Sequence, residues 1–220
     1  FGPLFPHLPN FCTIRGDRIR FAIPYLEMCK KVLELKPNIL ITGHFKPIEG
    51  QKLIYDEVKN LHDAVDYIHT KTVEGINTGK DMYELMKEIV LPKKLSVGEG
   101  YGTVEWAIRS IYEGYTGWFR HKSTTELYAY SPQAIFSDLN NLIDKKEALK
   151  RIEEFIAGSE YLKAINLCEI VISSDDNKEA LKIYLDIHII LLKEAQKNSN
   201  RWIVKWLESE IEETKNKLNA

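Results

Sequence analysis

Val58, Leu61, Val65, Ile68, Thr72 and Ile76 follow one another at three- and four-residue steps. That spacing places all six on one face of a single long helix. Asn77-Thr78-Gly79 ends the run, because Gly or Asn past the last turn adopts the left-handed conformation that closes a helix. Punctuation continues downstream. Asp81 with Glu84 three residues on forms a capping box for a short helix to about Val90. Leu91-Pro92 breaks it, and after Gly98, Gly100 and Gly102 the hydroxyl of Thr103 caps another helix that buries Val104, Ala107, Ile108, Ile111 and Tyr115. Trp106, Tyr112, Tyr115, Trp118 and Phe119 crowd this segment. Bulky aromatics at helical spacing serve as core or interface anchors, not as a cofactor box.

Residues 145–220 read as helices at about 146–157, 160–173 and 178–196, with a last amphipathic helix from 200 to the end. Within them, Ala164, Cys168, Val171 and Ala180 have roughly the small-residue placement of one tetratricopeptide unit. A packed helix pair follows, but a peptide-binding solenoid needs at least three repeats. Residues 1–50 are mixed. FCTIRG alternates and predicts a strand from about Phe11 to Arg15, and AIPYLEMCKKVLEL has helical spacing up to Pro37. Asn38-Ile39-Leu40-Ile41-Thr42 reads as a short buried-type strand ending at Gly43-His44. A single helix–strand half unit leaves its strand edges without partners. The chain also opens on FGPLFPHLPN without an initiating Met, and it reads as a chain entered midway.

Charge narrows the function classes. Thirty basic and 32 acidic side chains give a formal net charge of −2, with the two signs interspersed. No whole-chain field attracts nucleic acid or an anionic membrane. No run of 18 apolar residues is present, so no membrane span is expected. Cys12, Cys29 and Cys168 lie far apart with no C-x-x-C pair, which argues against a disulfide framework or a thiolate zinc site and fits a reducing cytoplasm.

Gly43-His44 stands where an α/β site would form, just past the carboxyl end of an apolar strand; a capped turn with an exposed His is the plainer reading. ILITGHFKPIEG resembles the closing segment of the metallo-β-lactamase fold, and FGPLFPHLPNFCTIRGDRIRFAIPYLE resembles the alkyl-sulfatase branch of that fold. LHDAVDYIHTKTVEGINTGKDMYELMKEIVLP and YGTVEWAIRSIYEGYTGWF resemble the same branch's dimerisation domain. The resemblance covers residues 1–130 and, more loosely, 145–195. It implies a mainly α chain: a helical dimerisation domain at 51–144 and a tetratricopeptide-like helical bundle at 145–220, preceded at 1–50 by a short α/β remnant of a metallo-β-lactamase fold. The implied activity is hydrolysis of a sulfuric ester by two divalent metals, usually zinc.

Carried onto this sequence, the resemblance makes His44 a metal ligand and places Arg15, with Asn10 beside it, against the oxyanions of a sulfate-ester-like small molecule. An Arg fork suits such oxygens through paired hydrogen bonds; Arg15 paired with Asp17 or another acid is the equal alternative. It also implies a homodimer and a preceding metallo-β-lactamase domain that carries the remaining ligands. The H-x-H-x-D-H signature that opens such a metal site is absent, and no two of the six histidines lie two apart. Phe45 follows His44 where related sequences often have Gly, and a sterol-carrier-like last domain is not apparent. The expectation is therefore a chain that serves dimerisation and is inactive, or nearly so, alone.

Two rivals stand beside this reading. His62, Asp66 and His69, at i, i+4 and i+7, share a helix face and could hold zinc with a fourth ligand; the plainer reading is a solvated face with Asp66 paired to Lys59 or a cation near Lys71. The other rival is an all-helical protein–protein interaction module without catalytic activity. Neither Asp175-Asp176 nor the Glu208–Glu213 run reads as an acid/base pair.

Overall fold

The computed structural model describes residues 7–219 apart from 13, 15, 17, 19, 44, 45, 175, 176, 198 and 199. The chain is mainly helical, with one small two-stranded sheet among the described residues. It divides into two compact units, residues 1–120 with 198–201 and residues 121–197 with 202–220.

In the first unit, α1 spans Ala22–Leu35 and buries Ala22, Leu26 and Cys29. Lys36 takes a left-handed φ of 47° and Pro37 follows, so the helix cannot continue. Strand β1 (Ile39–Leu40) pairs antiparallel with β2 (Ile48–Glu49), Ile39 opposite Glu49 and Leu40 opposite Ile48. Helix α2, Gln51–Asn77, carries the long apolar face, with Val58, Leu61, Val65, Ile68 and Thr72 buried. At 27 residues it is roughly 40 Å long, and its two halves serve different cores. Ile54 and Val58 meet Cys29 of α1, while Val65 and Ile68 join Leu8, Phe11, Leu26, Leu85, Ile108 and Ile111. Thr72 is tolerated in that apolar face because its hydroxyl donates to the Ile68 carbonyl at 2.7 Å.

Helix α3, Met82–Glu88, starts from the expected capping box: Asp81 accepts from the Glu84 amide, and the Glu84 carboxylate from the Asp81 amide. Helix α4, Val104–Thr116, is capped by Thr103, whose hydroxyl accepts from the Trp106 amide at 3.1 Å, and ends at Gly117 with φ 76°.

Three sequence expectations fail here, the first being the burial of Tyr115, which is 57% exposed near the end of α4. Phe11 and Cys12 lie in a bend and Ile14 in a turn, so the strand from Phe11 to Arg15 does not form at the described positions; Thr13 and Arg15 are outside them. Packing takes precedence over alternation: Phe11 is buried with its ring edge-on to Tyr25 at 5.7 Å, and the Cys12 thiol donates to the Trp106 carbonyl. The segment 38–42 is not of buried type either. Only Ile39 and Leu40 are strand, and Ile39 and Ile41 are 56% and 79% exposed.

In the second unit, short 3-10 turns at Thr124–Leu127 and Pro132–Ile135 precede α5 (Phe136–Leu142). Helices α6 (Lys145–Ala157), α7 (Tyr161–Val171), α8 (Lys178–Lys197) and α9 (Arg201–Asn219) follow close to the expected bounds. Asp144 caps α6 through the amides of Lys146 and Glu147, and Asn177 accepts from the Ala180 amide in the first turn of α8. Ala148 and Ile152 of α6 pack with Ala164, Cys168 and Val171 of α7 and with Ala180, Tyr184 and Ile187 of α8. The small residues Ala164 and Ala180 are fully buried, which is how these helices approach closely. Among the described residues, no helix is long and apolar enough to cross a membrane.

Candidate functional site

Of the three residues singled out for the sulfate and metal roles, Arg15 and His44 lie outside the described residues, as does Phe45. Asn10 is described. It belongs to the segment 7–12, which the Gly98–Gly102 loop holds in place. The Leu8 amide donates to the Gly98 carbonyl at 2.8 Å, and the Gly100 amide donates to His7 Nδ1 at 3.2 Å. Gly102 approaches so closely that a Cβ there would stand 2.4 Å from the Pro9 carbonyl oxygen. From the other side, the Asn200 side chain donates to the Glu99 carbonyl, and the Arg201 amide donates to the Gly100 carbonyl. The Glu99 carboxylate accepts from the Val104 amide at 2.7 Å, at the start of α4. Burial raises its pKa, against the lowering effect of that amide bond.

Within this frame the Asn10 carbonyl accepts from Arg20 at 3.3 Å, while its side-chain oxygen Oδ1 is buried with no hydrogen-bond partner among the described residues. A buried acceptor without a donor is costly in isolation.

The helix-borne rival does not assemble. His62 Nδ1 lies 3.0 Å from Asp63, not Asp66, and its Nε2 is buried without a partner among the described residues. His69 Nε2 lies 2.8 Å from the Tyr115 hydroxyl on α4. The cations expected for Asp66 go elsewhere, Lys59 to Asp63 and Lys71 to Glu74. Among the described residues, no three His, Cys, Asp or Glu side chains converge on a position fit for a metal ion. The described residues therefore do not by themselves fit a dinuclear zinc centre, and no catalytic step is derived through one. Asp175 and Asp176 are outside the described residues, and Glu213 of the acidic run pairs with Lys217 at 2.7 Å.

The sequence reading missed a cleft between the start of α1, α2 and the end of α4. It is about 270 Å³ and is lined by Phe21, Pro24 and Ile111 among apolar residues, with His69 and Tyr115 as its polar pair. Burial lowers the His69 pKa, against the raising effect of Asp66. Only the shared helical face could have hinted at this. By spacing Tyr115 falls with the aromatic anchors of α4, and its partner lies 46 positions away.

Comparison with known proteins adds what the geometry does not carry. The family described as alkyl sulfatase dimerisation matches residues 81–213. A linear primary-alkylsulfatase of Pseudomonas sp. (strain ATCC 19151) is 32% identical over 120 residues, covering 52% of this chain and 23% of that protein. A second linear primary-alkylsulfatase, from Pseudomonas sp., is 24% identical over 183 residues, covering 80% of this chain and 27% of its own length. The chain thus spans about a quarter of the length of these curated relatives. Among solved structures, a stereoselective inverting sec-alkylsulfatase from Pseudomonas sp. superposes with a TM-score of 0.81 at 20% identity, over 95% of this chain and 34% of that one. At that identity the likeness is one of fold.

Proposed function

Because this chain belongs to the alkyl sulfatase dimerisation family, we propose that it joins two copies of a metal-dependent sulfuric-ester hydrolase, as part of that enzyme's C-terminal portion. The observation that carries the reading is the family match over 81–213, which takes in α3 and α4 and runs into α9. Large apolar side chains left in solvent support it: Trp118 is 70% exposed in the first unit, and Leu127 and Tyr128 are 56% and 70% exposed in the second. Exposed aromatics of this kind are the usual anchors of isologous interfaces.

In this proposal the hydrolysis belongs to the complete protein. Its two divalent metals, zinc by expectation, take most of their ligands from a preceding metallo-β-lactamase domain, with His44 as the contribution of this chain. Arg15 and Asn10 then stand at the sulfate oxygens. The partnerless Oδ1 of Asn10 supports a polar role for that residue: the amide's oxygen and nitrogen can exchange places, which would turn its NH₂ toward an anion. By the same reading the enzyme is cytoplasmic.

Light scattering on the purified chain tests the dimer. The expected mass is twice the 25.5 kDa of one chain; a monomer up to hundreds of micromolar overturns the proposal. Elemental analysis after dialysis, beside an alkyl-sulfate hydrolysis assay, tests the division of labour. Little metal and no turnover are expected of this chain alone. Stoichiometric tightly bound metal with turnover would show that it carries a complete site.

A further inference from the structure

The described lining of the cleft between α1, α2 and α4 does not include Asn10, and it is built like a small-molecule site. From its walls and its single polar pair we infer that it binds a neutral planar aromatic of about two fused rings bearing one hydroxyl group. An apolar cavity of roughly 150 Å³ accepts a benzene ring; this cleft is about 270 Å³. That difference admits a second fused ring and one polar substituent.

The lining fixes the rest of the chemistry. Phe21 and Tyr115, both in the lining, are 56% and 57% exposed, and exposed aromatic rings favour contact with another flat ring. Pro24 and Ile111 add apolar wall with no donor or acceptor in their side chains. His69 Nε2 and the Tyr115 hydroxyl already share one hydrogen bond at 2.8 Å. A phenolic oxygen in such a pair keeps further capacity as donor or acceptor, and a ligand hydroxyl, itself both, satisfies either orientation.

Charge selects against an anion. The carboxylate of Asp66 acts on His69, whose burial lowers its pKa and favours the neutral imidazole. No cation lines the cleft among the described residues. A sulfonate or carboxylate placed at the polar pair would meet the field of Asp66 with no cation of the described lining to offset it.

Gly114 keeps the cleft open. It lies in α4, where glycine is among the least favoured residues, and a Cβ there would stand 3.0 Å from the Phe21 ring. Any side chain at 114 therefore displaces that ring or occupies its neighbourhood. Because Phe21 is largely exposed, a larger residue at 114 fills the cleft without entering the core.

The test titrates 2-naphthol into the full 220-residue chain and follows ligand fluorescence and protein NMR shifts. One saturable site with Kd at or below about 1 mM is expected. Gly114→Leu abolishes it, with the helical circular dichroism and melting temperature checked to confirm folding. Tyr115→Phe weakens binding about three- to tenfold, the worth of one hydrogen bond. Naphthalene-2-sulfonate binds at least about tenfold more weakly than 2-naphthol. No saturation, equal binding of the anion, or binding unchanged by Gly114→Leu in a folded protein overturns the inference. So does an affinity that rises as the protein is diluted below its dimer dissociation constant, since a second copy would then be the occupant. Loss of dimerisation alone bears on the proposed function and leaves this site standing.

Discussion

His7 Nδ1 accepts a hydrogen bond from the backbone amide of Gly100, 93 positions along the chain. The acceptor role requires an unprotonated Nδ1, so the bond exists only with neutral imidazole. Burial lowers the His7 pKa from 6.5. A depressed histidine pKa means that the unfolded chain takes up the proton first, so stability is fully present above the ordinary pKa and falls as pH drops below it. Burial of His69 acts with the same sign. Glu99, raised by burial, acts with the opposite sign around and above the ordinary carboxylate range. The informative quantity is therefore the difference between wild type and His7→Gln, which can accept the Gly100 amide but does not titrate. Urea unfolding between about pH 5 and 7 should show a weaker pH dependence in the variant; an unchanged slope would remove His7 from the account.

Two glycines that admit neighbours closely should respond differently to alanine. At Gly75 in α2, the added Cβ meets Leu85 Cδ2 at 2.2 Å, a side-chain end that is itself buried. At Gly102 it meets the Pro9 carbonyl at 2.4 Å and the Asn10 Cα at 3.2 Å, which are backbone atoms and cannot rotate away. Both are overpacking changes, worth about 1–3 kcal/mol each. Gly75→Ala should lie toward the lower end, because alanine's helix propensity offsets part of the clash. Gly102→Ala should lie toward the upper end and also disturb the His7–Gly100 contact. Chemical denaturation ranks them, and the reverse order would mean that segment 7–12 yields more easily than the α2–α3 contact.

The difference between those sites parallels what could be read from sequence. Thr103, Asp81 with Glu84, and the stripe from Val58 to Thr72 act over three to fourteen positions, so local spacing reveals them. The hold of the Gly98–Gly102 loop on His7 and Asn200 is set by tertiary packing, and three alternating glycines announce only a loop. FCTIRG alternates like a strand, but Phe11 is buried against Tyr25, and the described Phe11, Cys12 and Ile14 lie in a bend and a turn. Helix α5, of 7 residues after a 3-10 turn, is too short to show a period. Of the candidate site, spacing puts His69 on a polar face of α2, but its contact with Tyr115 comes from another element and has no local signal. His44 and Arg15 lie outside the described residues.

Helix caps offer a second stability test. Asp81→Ala removes the side-chain acceptor for the Glu84 amide, and Thr103→Ala removes the acceptor for the Trp106 amide. Each should cost about 1 kcal/mol. Thr103 is 7% exposed, so water cannot readily replace it, and its loss should be the larger. Asp81→Ser, which keeps an acceptor, should recover most of the Asp81 loss. Equal destabilisation by Ser and Ala in thermal melts would assign the effect to charge, not to capping.

Thiol reactivity should report on the two units separately. Attack on a disulfide reagent requires thiolate and access. Burial pushes Cys29 in the first unit up to about 11 and Cys168 in the second up to about 12, the latter with help from Glu169, and neither is exposed. Cys12 is only half-buried, and its raised pKa comes first from burial. Near pH 8, Cys12 should therefore react first and slowly, with Cys29 and Cys168 modified only as their units open. All three should react at once in guanidinium. Mass-spectrometric mapping during labelling separates the sites. If Cys168 is labelled as fast as Cys12, the α6–α8 core opens locally at low cost; if both buried thiols wait for global unfolding, the two cores are comparably stable.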